Sequence, residues 1–292
     1  VAAAVATSIA VFAHNEADGI AACLDSVYRG NPPKPFCIHV LANGCSDGTE
    51  SLVEAYARAR PEVMLHSILL GDKSNAWNVY VHDLAADAAA HCFVDGDVRV
   101  EPGSIAALAQ TLARAPRSNA AAALPATGRH VATFAREVRE SHGLAGNLYA
   151  LSGDFVRRVR AAGVRLPVGL IGDDSWVGAL ALMDLDPSSG WHKERVRICD
   201  DARFAFDSLR WHRPADARLY WRRRIRYGLR RWQTIMLRAH IAEHGLARLP
   251  RDVRELYSEY AHLCRLRWSG VDTLFLWLAR SRIHGALRGG AA

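Results

Sequence analysis

Four apolar runs recur at near-regular spacing early in the chain, and each ends abruptly in a cluster of short polar side chains. Residues 8–13 (SIAVFA) end in His14-Asn15-Glu16, and residues 36–42 (FCIHVLA) end in Asn43-Gly44-Cys45-Ser46-Asp47-Gly48-Thr49. Residues 63–70 precede Gly71-Asp72-Lys73-Ser74, and residues 91–94 run into Asp95-Gly96-Asp97. Strands roughly 25–30 residues apart with helices between them imply right-handed βαβ crossovers, hence an α/β chain with a central, mostly parallel sheet flanked by helices. Ligands of such sheets bind beyond the carboxyl ends of the strands. The polar clusters after the first, second and fourth strands fall there, so one site built from separate loops is expected.

Helical patterns fill the intervals. Ile20, Leu24 and Val27 share one face of a helix expected to about Tyr28, and further helices are expected over 49–59, 75–89 and 102–113, the last opened by Pro102. Beyond that, 119–126 and 148–152 read as strands, the latter followed by a basic helix with Arg157, Arg158 and Arg160. Residues 195–199 and 202–206 read as two more strands, and the chain is helical from Leu219. The expected organisation is a domain over 1–210, with halves at about 7–115 and 116–210, and a basic helical extension over 211–292.

Charge follows the same division. The chain carries 37 Lys+Arg against 30 Asp+Glu, a net of +7. From Arg210 onward there are 18 basic and 6 acidic residues, so residues 210–292 are at +12 and residues 1–209 at −5. Six cysteines are scattered without a CxxC pair, which argues for buried free thiols and against a disulfide framework or a Cys-based zinc site. No apolar run approaches the ~20 residues that span a bilayer. The start of the chain lacks the basic segment of a signal peptide. The expected location is therefore cytoplasmic.

Three clusters carry candidate chemistry. Asp95-Gly96-Asp97 places two carboxylates around a residue that lets the backbone turn, at a strand end where they can reach a divalent cation on a diphosphate. Gly172-Asp173-Asp174 sets adjacent carboxylates at the start of a helix. There one can act as a general base, and either can cap the helix. The loop at 43–49, with two glycines and short polar side chains, suits a grip on a polar ring edge or an ordinary capped turn.

Together and in this order the clusters resemble glycosyltransferase family 2, nucleotide-sugar-dependent transferases of GT-A fold, over about residues 7–230. Ala13-His14-Asn15-Glu16 matches the family's opening signature, and 42–49 its Asp-Asp-Gly-Ser-x-Asp-Gly-Thr loop. Gly71, Lys73, Ala76 and Asn78 match its Gly-x-Lys-x-x-Ala-x-Asn segment, Asp95 and Asp97 its Asp-x-Asp, and Asp173-Asp174 its acceptor-side acidic pair. The resemblance implies that Ala13, Asn15, Glu16, Asn43 and Asp47 line the base and ribose pocket, with Lys73 and Asn78 near the nucleotide. It implies Mg²⁺ or Mn²⁺ on Asp95 and Asp97, with Asp95 also positioning the sugar. Asp174, with Asp173 beside it, is implied as the base that deprotonates an acceptor hydroxyl, with inversion at the anomeric carbon. Ala42-Asn43 replaces the family's two Asp, which leaves the base open, UDP-sugar being the first expectation. A saccharide or lipid-linked acceptor in bacterial cell-envelope or exopolysaccharide synthesis is the implied process.

The family's processive signature, Gln-x-x-Arg-Trp, is altered here to Arg223-Arg224-Ile225-Arg226-Tyr227, which argues against processive synthesis while Arg223 and Arg226 stay candidates for the donor diphosphate. Ile225, Leu229, Trp232, Met236 and Ala239 form an apolar stripe on this helix, and Arg222, Arg226 and Arg230 lie one turn apart on another face. That face is open to three readings: a solvated surface, a clamp on an anionic substrate, or a peripheral contact with anionic membrane. Five of the eight Trp, including Trp211, lie in this tail, and His212 is a minor candidate for a further metal ligand. No nucleic-acid-binding pattern accompanies the basic residues, so nucleic acid is not an expected partner. The alternative to an enzyme is a non-catalytic GT-A-like protein that holds a nucleotide sugar or an anionic surface.

Overall fold

The computed structural model describes residues 5–128, 130–206 and 214–289. Trp211 and His212 lie outside the described residues. The chain divides into two units: Val1–Gly163 with Asp173–Asp207, and Val164–Gly172 with Ser208–Ala292. The boundary expected near 210 is thus crossed by an earlier segment, 164–172, which groups with the C-terminal helices.

The first unit is built on strands β1 (Val5–Ala13), β2 (Phe36–Asn43), β3 (Val63–Ile68) and β4 (Ala88–Asp95), all mutually parallel, in the order β3-β2-β1-β4. Residues 7–13 of β1 are buried without alternation, the pattern of a strand covered on both faces. The register sets Ala13 beside Ala42 and Phe12 beside Asp95, which brings three polar loops to one edge.

Crossover helices are α1 (Ile20–Arg29), α2 (Thr49–Ala57) and α3 (Lys73–Val79), the last continuing into a π-helical turn at Tyr80–Leu84. Ile20, Cys23, Leu24 and Val27 of α1 are buried, as the spacing expected. The helix expected to reach 89 instead stops at Leu84, because the Ala-rich residues 88–90 pair with β1. Alanine favours helix locally, but strand pairing wins here.

The sheet continues through β5 (Val98–Val100), β6 (Ala120–Pro125), β7 (Leu148–Ser152) and β8 (Val196–Phe206), giving eight strands in the order β3-β2-β1-β4-β7-β6-β8-β5. β7 runs antiparallel to β4 and β6, and β5 antiparallel to β8. The two short strands expected at 195–206 are one strand, whose register against β6 shifts between Ala122 and Leu124. Helices α4 (Ser104–Arg114), α5 (Val131–Ser141), α6 (Gly153–Ala161) and α7 (Asp173–Leu182) complete the unit. Neither β5 nor α5 was expected from the sequence.

The second unit comprises α8 (Pro214–His244), α9 (Val253–Tyr260) and α10 (Asp272–Gly289). Ile225, Trp232 and Met236 of the expected stripe are buried, and Leu229 and Ala239 half-buried. Trp232 Nε1 donates to the Leu276 carbonyl at 3.1 Å, joining α8 to α10. Gln233 accepts from Ile171 N at 2.8 Å, and its Nε2 lies 2.7 Å from Tyr257 Oη, so one buried amide fastens 164–172 and α9 to α8. Among the described residues no helix is long and apolar enough to cross a membrane.

Candidate functional site

The site forms where β1, β2 and β4 end. Asn15, held at φ 57°, accepts from Ser46 N at 2.8 Å through its side-chain oxygen. Asp47 accepts from Ala17 N at 3.1 Å and from Thr49 N at 3.0 Å, while Thr49 Oγ1 accepts from Glu16 N at 2.8 Å. The loops after β1 and β2 are therefore laced into one surface. The hydrogen bonds from Thr49 hold the Asp47 carboxyl below its usual range.

Asn43 behaves differently from the expected base contact. It is 4% exposed, and its Nδ2 donates to the carbonyls of Ala13 and Leu41 at 2.8 and 3.3 Å. Its amide thus ties β1 to β2. Its own carbonyl lies 2.6 Å from His14 Nδ1, so His14 is fixed over the same loop. Asn78 is buried on α3.

The Asp-Gly-Asp turn sits directly on the end of β1. Gly96 N donates to Phe12 O at 2.8 Å, and a Cβ at 96 would come within 2.9 Å of that oxygen and 3.2 Å of Glu16 Cγ. Only a residue without a side chain lets the backbone approach so closely. Asp97 is exposed and Asp95 half-buried. Burial, with the charges of Asp97, Asp95 and Asp47, pushes the Glu16 carboxyl up to about 7. Burial likewise raises Asp95, to about 6, against the opposing pull of Lys73.

Lys73, at the start of α3, organises the centre. Its Nζ lies 2.5 Å from Asp95 Oδ1, 3.7 Å from Asp173 Oδ2 and 3.4 Å from the Gly146 carbonyl. Burial alone would lower the ammonium's pKa, but Asp173 and Asp95 outweigh it and the net shift is upward. The structure therefore brings together Lys73, Asp95 and the acidic pair that opens α7. Asp173 is buried, whereas Asp174 is half-buried with its side chain against Gly146. Beneath them Phe93 stacks on Tyr149, with centroids 4.7 Å apart. Burial and the nearby Asp173 and Asp174 carboxylates lift the Tyr149 hydroxyl well above its usual range.

Arg223 and Arg226 are exposed on α8 of the second unit. Residues that sequence reasoning did not single out are Thr49, which bridges the two loops, and Gly146, which receives Lys73 and Asp174. The Asp47-x-Thr49 spacing, an Asp two residues before a helix-start Thr, was the available signal for the first. Gly146 has no local signature.

The family model described as Glycosyl transferase family 2 matches residues 8–160, more than half of the chain. The chain belongs to glycosyltransferase family 2. It is a glycosyltransferase with the GT-A fold, and solved structures resemble it along most of its length. A mannosyltransferase from Pyrobaculum calidifontis, in complex with GDP-Man and Mn²⁺, is 20% identical with a TM-score of 0.59, over 99% of this chain and 76% of that one. TarS (1–349) of S. aureus is 15% identical with a TM-score of 0.54, over 96% and 80%. Glucosyl-3-phosphoglycerate synthase from Mycobacterium tuberculosis, with Mn²⁺, UDP and glucosyl-3-phosphoglycerate, is 19% identical with a TM-score of 0.50, over 77% and 78%. No match was found among curated protein sequences.

Proposed function

We propose that this glycosyltransferase moves one sugar from a nucleoside diphosphate, UDP first among the candidates, to the hydroxyl of a saccharide or lipid-linked acceptor, with inversion. The observation that carries the reading is the Lys73 bridge: one ammonium draws the donor-side carboxylate Asp95 and the acceptor-side Asp173 into a single cluster. Structural relatives that carry GDP-Man, UDP-GlcNAc or UDP with a glucosyl product support a nucleotide-sugar donor.

The carboxylates fit a divalent cation. Asp95 and Asp97 are hard oxygen donors of the class that Mg²⁺ and Mn²⁺ prefer. The raised carboxyl of Glu16 beside them reflects, after burial, an excess of negative charge that a cation would relieve. Mn²⁺ accompanies the ligands in three of the structural relatives. When bound, the ion supplies positive charge where the leaving diphosphate gains negative charge.

The chain's own residues then divide the work. Asn15, Glu16 and Asp47 shape the pocket for base and ribose, with Ala13 and Asn43 as its floor and Asn78 behind. Lys73 fixes the Asp95 carboxylate. Asp174, more exposed than Asp173, takes the acceptor proton as the hydroxyl attacks. Arg223 and Arg226 offer guanidinium forks to an anionic group of donor or acceptor. Thermal shifts against UDP-, GDP- and dTDP-sugars with Mn²⁺ or Mg²⁺ identify the donor, and proton NMR of the product's anomeric signal tests inversion. A product of retained configuration would overturn the role given to Asp174.

A second proposal concerns location: peripheral contact with anionic membrane on the inner face of the plasma membrane. It is favoured by exposed Tyr227, Trp268, Val271 and Trp277 on the same unit as exposed Arg222, Arg223 and Arg226.

A further inference from the structure

The second unit holds a cluster that the transfer reaction does not use. His240 and His244 lie one turn apart on α8, and Glu259 faces them from α9. One ligand atom from each of the three lies within 4.8 Å of the others.

The tautomer of His240 is set by its surroundings. Its Nε2 lies 2.7 Å from the Arg248 carbonyl, an atom that can only accept, so Nε2 carries the proton. In the neutral ring Nδ1 is then a bare lone pair. That atom is buried, has no hydrogen-bond partner, and belongs to a residue 8% exposed. It faces Glu259 Oε2 at 3.9 Å, too far for a hydrogen bond, while Glu259 Oε1 lies 3.5 Å from His244 Nε2. A lone pair aimed at a carboxylate is unfavourable unless a cation stands between them.

The donor set names the kind of cation. Two imidazoles and a carboxylate suit a zinc-class ion, whereas Mg²⁺ and Ca²⁺ prefer oxygen alone. Bonds of ~2.0–2.1 Å in a tetrahedron would bring donors to roughly 3.3 Å of one another. The 3.5 Å pair is already near that separation; half-exposed Glu259 can turn toward His240, and partly exposed His244 can turn to shorten the distance between the two imidazoles. A ligand histidine whose second nitrogen donates to a backbone carbonyl is oriented as metal-binding imidazoles are. Partial exposure of His244 and Glu259 leaves an entry path and room for a water as fourth ligand. We propose that His240, His244 and Glu259 form a site for a zinc-class transition-metal ion that clamps α8 to α9, made of different residues and different donor atoms from the Asp95–Asp97 turn.

The test uses the full chain stripped with a chelator and titrated with Co²⁺, whose ligand-field absorption reports nitrogen coordination, followed by displacement with Zn²⁺. The expected result is one equivalent with a visible band and a melting midpoint raised by Zn²⁺. In His244→Gln and Glu259→Gln the affinity falls at least ~10-fold, whereas Asp97→Ala keeps the band. Both substituted side chains are partly exposed, and near-UV circular dichroism checks that the variants are folded. A wild-type chain without band or melting shift, as expected if Nδ1 is simply protonated, overturns the site. So does unchanged Co²⁺ affinity in both variants.

Discussion

Lys73 Nζ lies 2.5 Å from Asp95 Oδ1 and 3.7 Å from Asp173 Oδ2, so one ammonium balances two carboxylates that come from distant parts of the chain. Removing it takes that counter-charge away from both. Lys73→Met should lower unfolding free energy by about 1–3 kcal/mol, between the value of an exposed pair and that of a buried one, because both partners are half-buried. Asp95, already raised to about 6, should then be protonated at neutral pH. Transfer should fall by at least ~100-fold, no less than the loss of one general-base contact at its weakest. Lys73→Arg should not restore it, because a planar fork does not replace a compact charge between two carboxylates. Urea unfolding and initial rates measure both effects, and an unmoved midpoint in Lys73→Met would refute the bridge's structural part.

The two carboxylates of the acidic pair differ in exposure. Asp173 is buried and faces Lys73, while Asp174 is half-buried against Gly146. Asp174→Asn should leave donor affinity nearly intact and reduce transfer by at least ~100-fold through kcat. Asp173→Asn should disturb stability as well as rate. Donor titration by calorimetry beside steady-state kinetics distinguishes them, and near-normal kcat in Asp174→Asn would remove the base assignment.

Asp97 is exposed at the same strand end as Asp95, where a diphosphate-bound cation would sit. Asp97→Ala should weaken nucleotide binding in the presence of Mn²⁺ by ~10-fold or more, as loss of a charge-assisted contact would, and leave metal-free binding unchanged. Calorimetry with and without Mn²⁺ decides it, and equal affinities for variant and wild type in Mn²⁺ would count against the assignment.

The loops around this site were legible because β1, β2 and β4 are apolar runs buried on both faces, so their ends are marked by abrupt polarity. The links between the loops were not. Lys73 follows a helix-start signal, the N-cap Asp72, but nothing local announces its partners Asp95 and Asp173. Asn43 reads as a polar ring-edge donor until strand pairing buries it and turns its amide to Ala13 and Leu41. The helix overrun to 89 has the same origin, since residues 88–90 are helix formers by propensity and strand by pairing with β1. Residues 164–172 group with the C-terminal helices through Gln233, whose two-sided amide bonding leaves no periodic trace.

Two buried histidines make stability depend on acid. Burial, with His66 alongside, pushes His39 down to about 4, and burial, with Arg160 nearby, pushes His91 down to about 3. Both are neutral in the folded protein, and His91 Nδ1 shares a 3.0 Å hydrogen bond with Tyr80 Oη. The unfolded chain takes up their protons near pH ~6.5 while the folded one does not. Stability should therefore be full above that pH and fall as pH drops toward the folded values, by roughly 2 kcal/mol per histidine at pH ~5. Urea midpoints at pH ~7.5 and ~5 measure the slope, and His91→Gln should flatten it. A midpoint that is level across this interval would contradict the prediction.

The tail's net +12 can serve a substrate anion, a lipid surface or neither, and exposure of its apolar residues favours the second. Trp268 is 87% exposed, Val271 72%, Tyr227 60% and Trp277 51%, in a unit that also exposes Arg222, Arg223 and Arg226. Aromatic rings that settle at a headgroup interface, with guanidinium groups worth ~1 kcal/mol each near anionic lipid, give a binding that needs both components. Vesicles rich in anionic lipid should float the protein at low salt, and neutral vesicles should not. Raising ionic strength should release it as the Debye length shrinks, and Trp268→Ala with Trp277→Ala should weaken capture without changing its salt dependence. Equal capture by neutral and anionic vesicles, or none by either, would leave the exposed arginines to the substrate or to solvent.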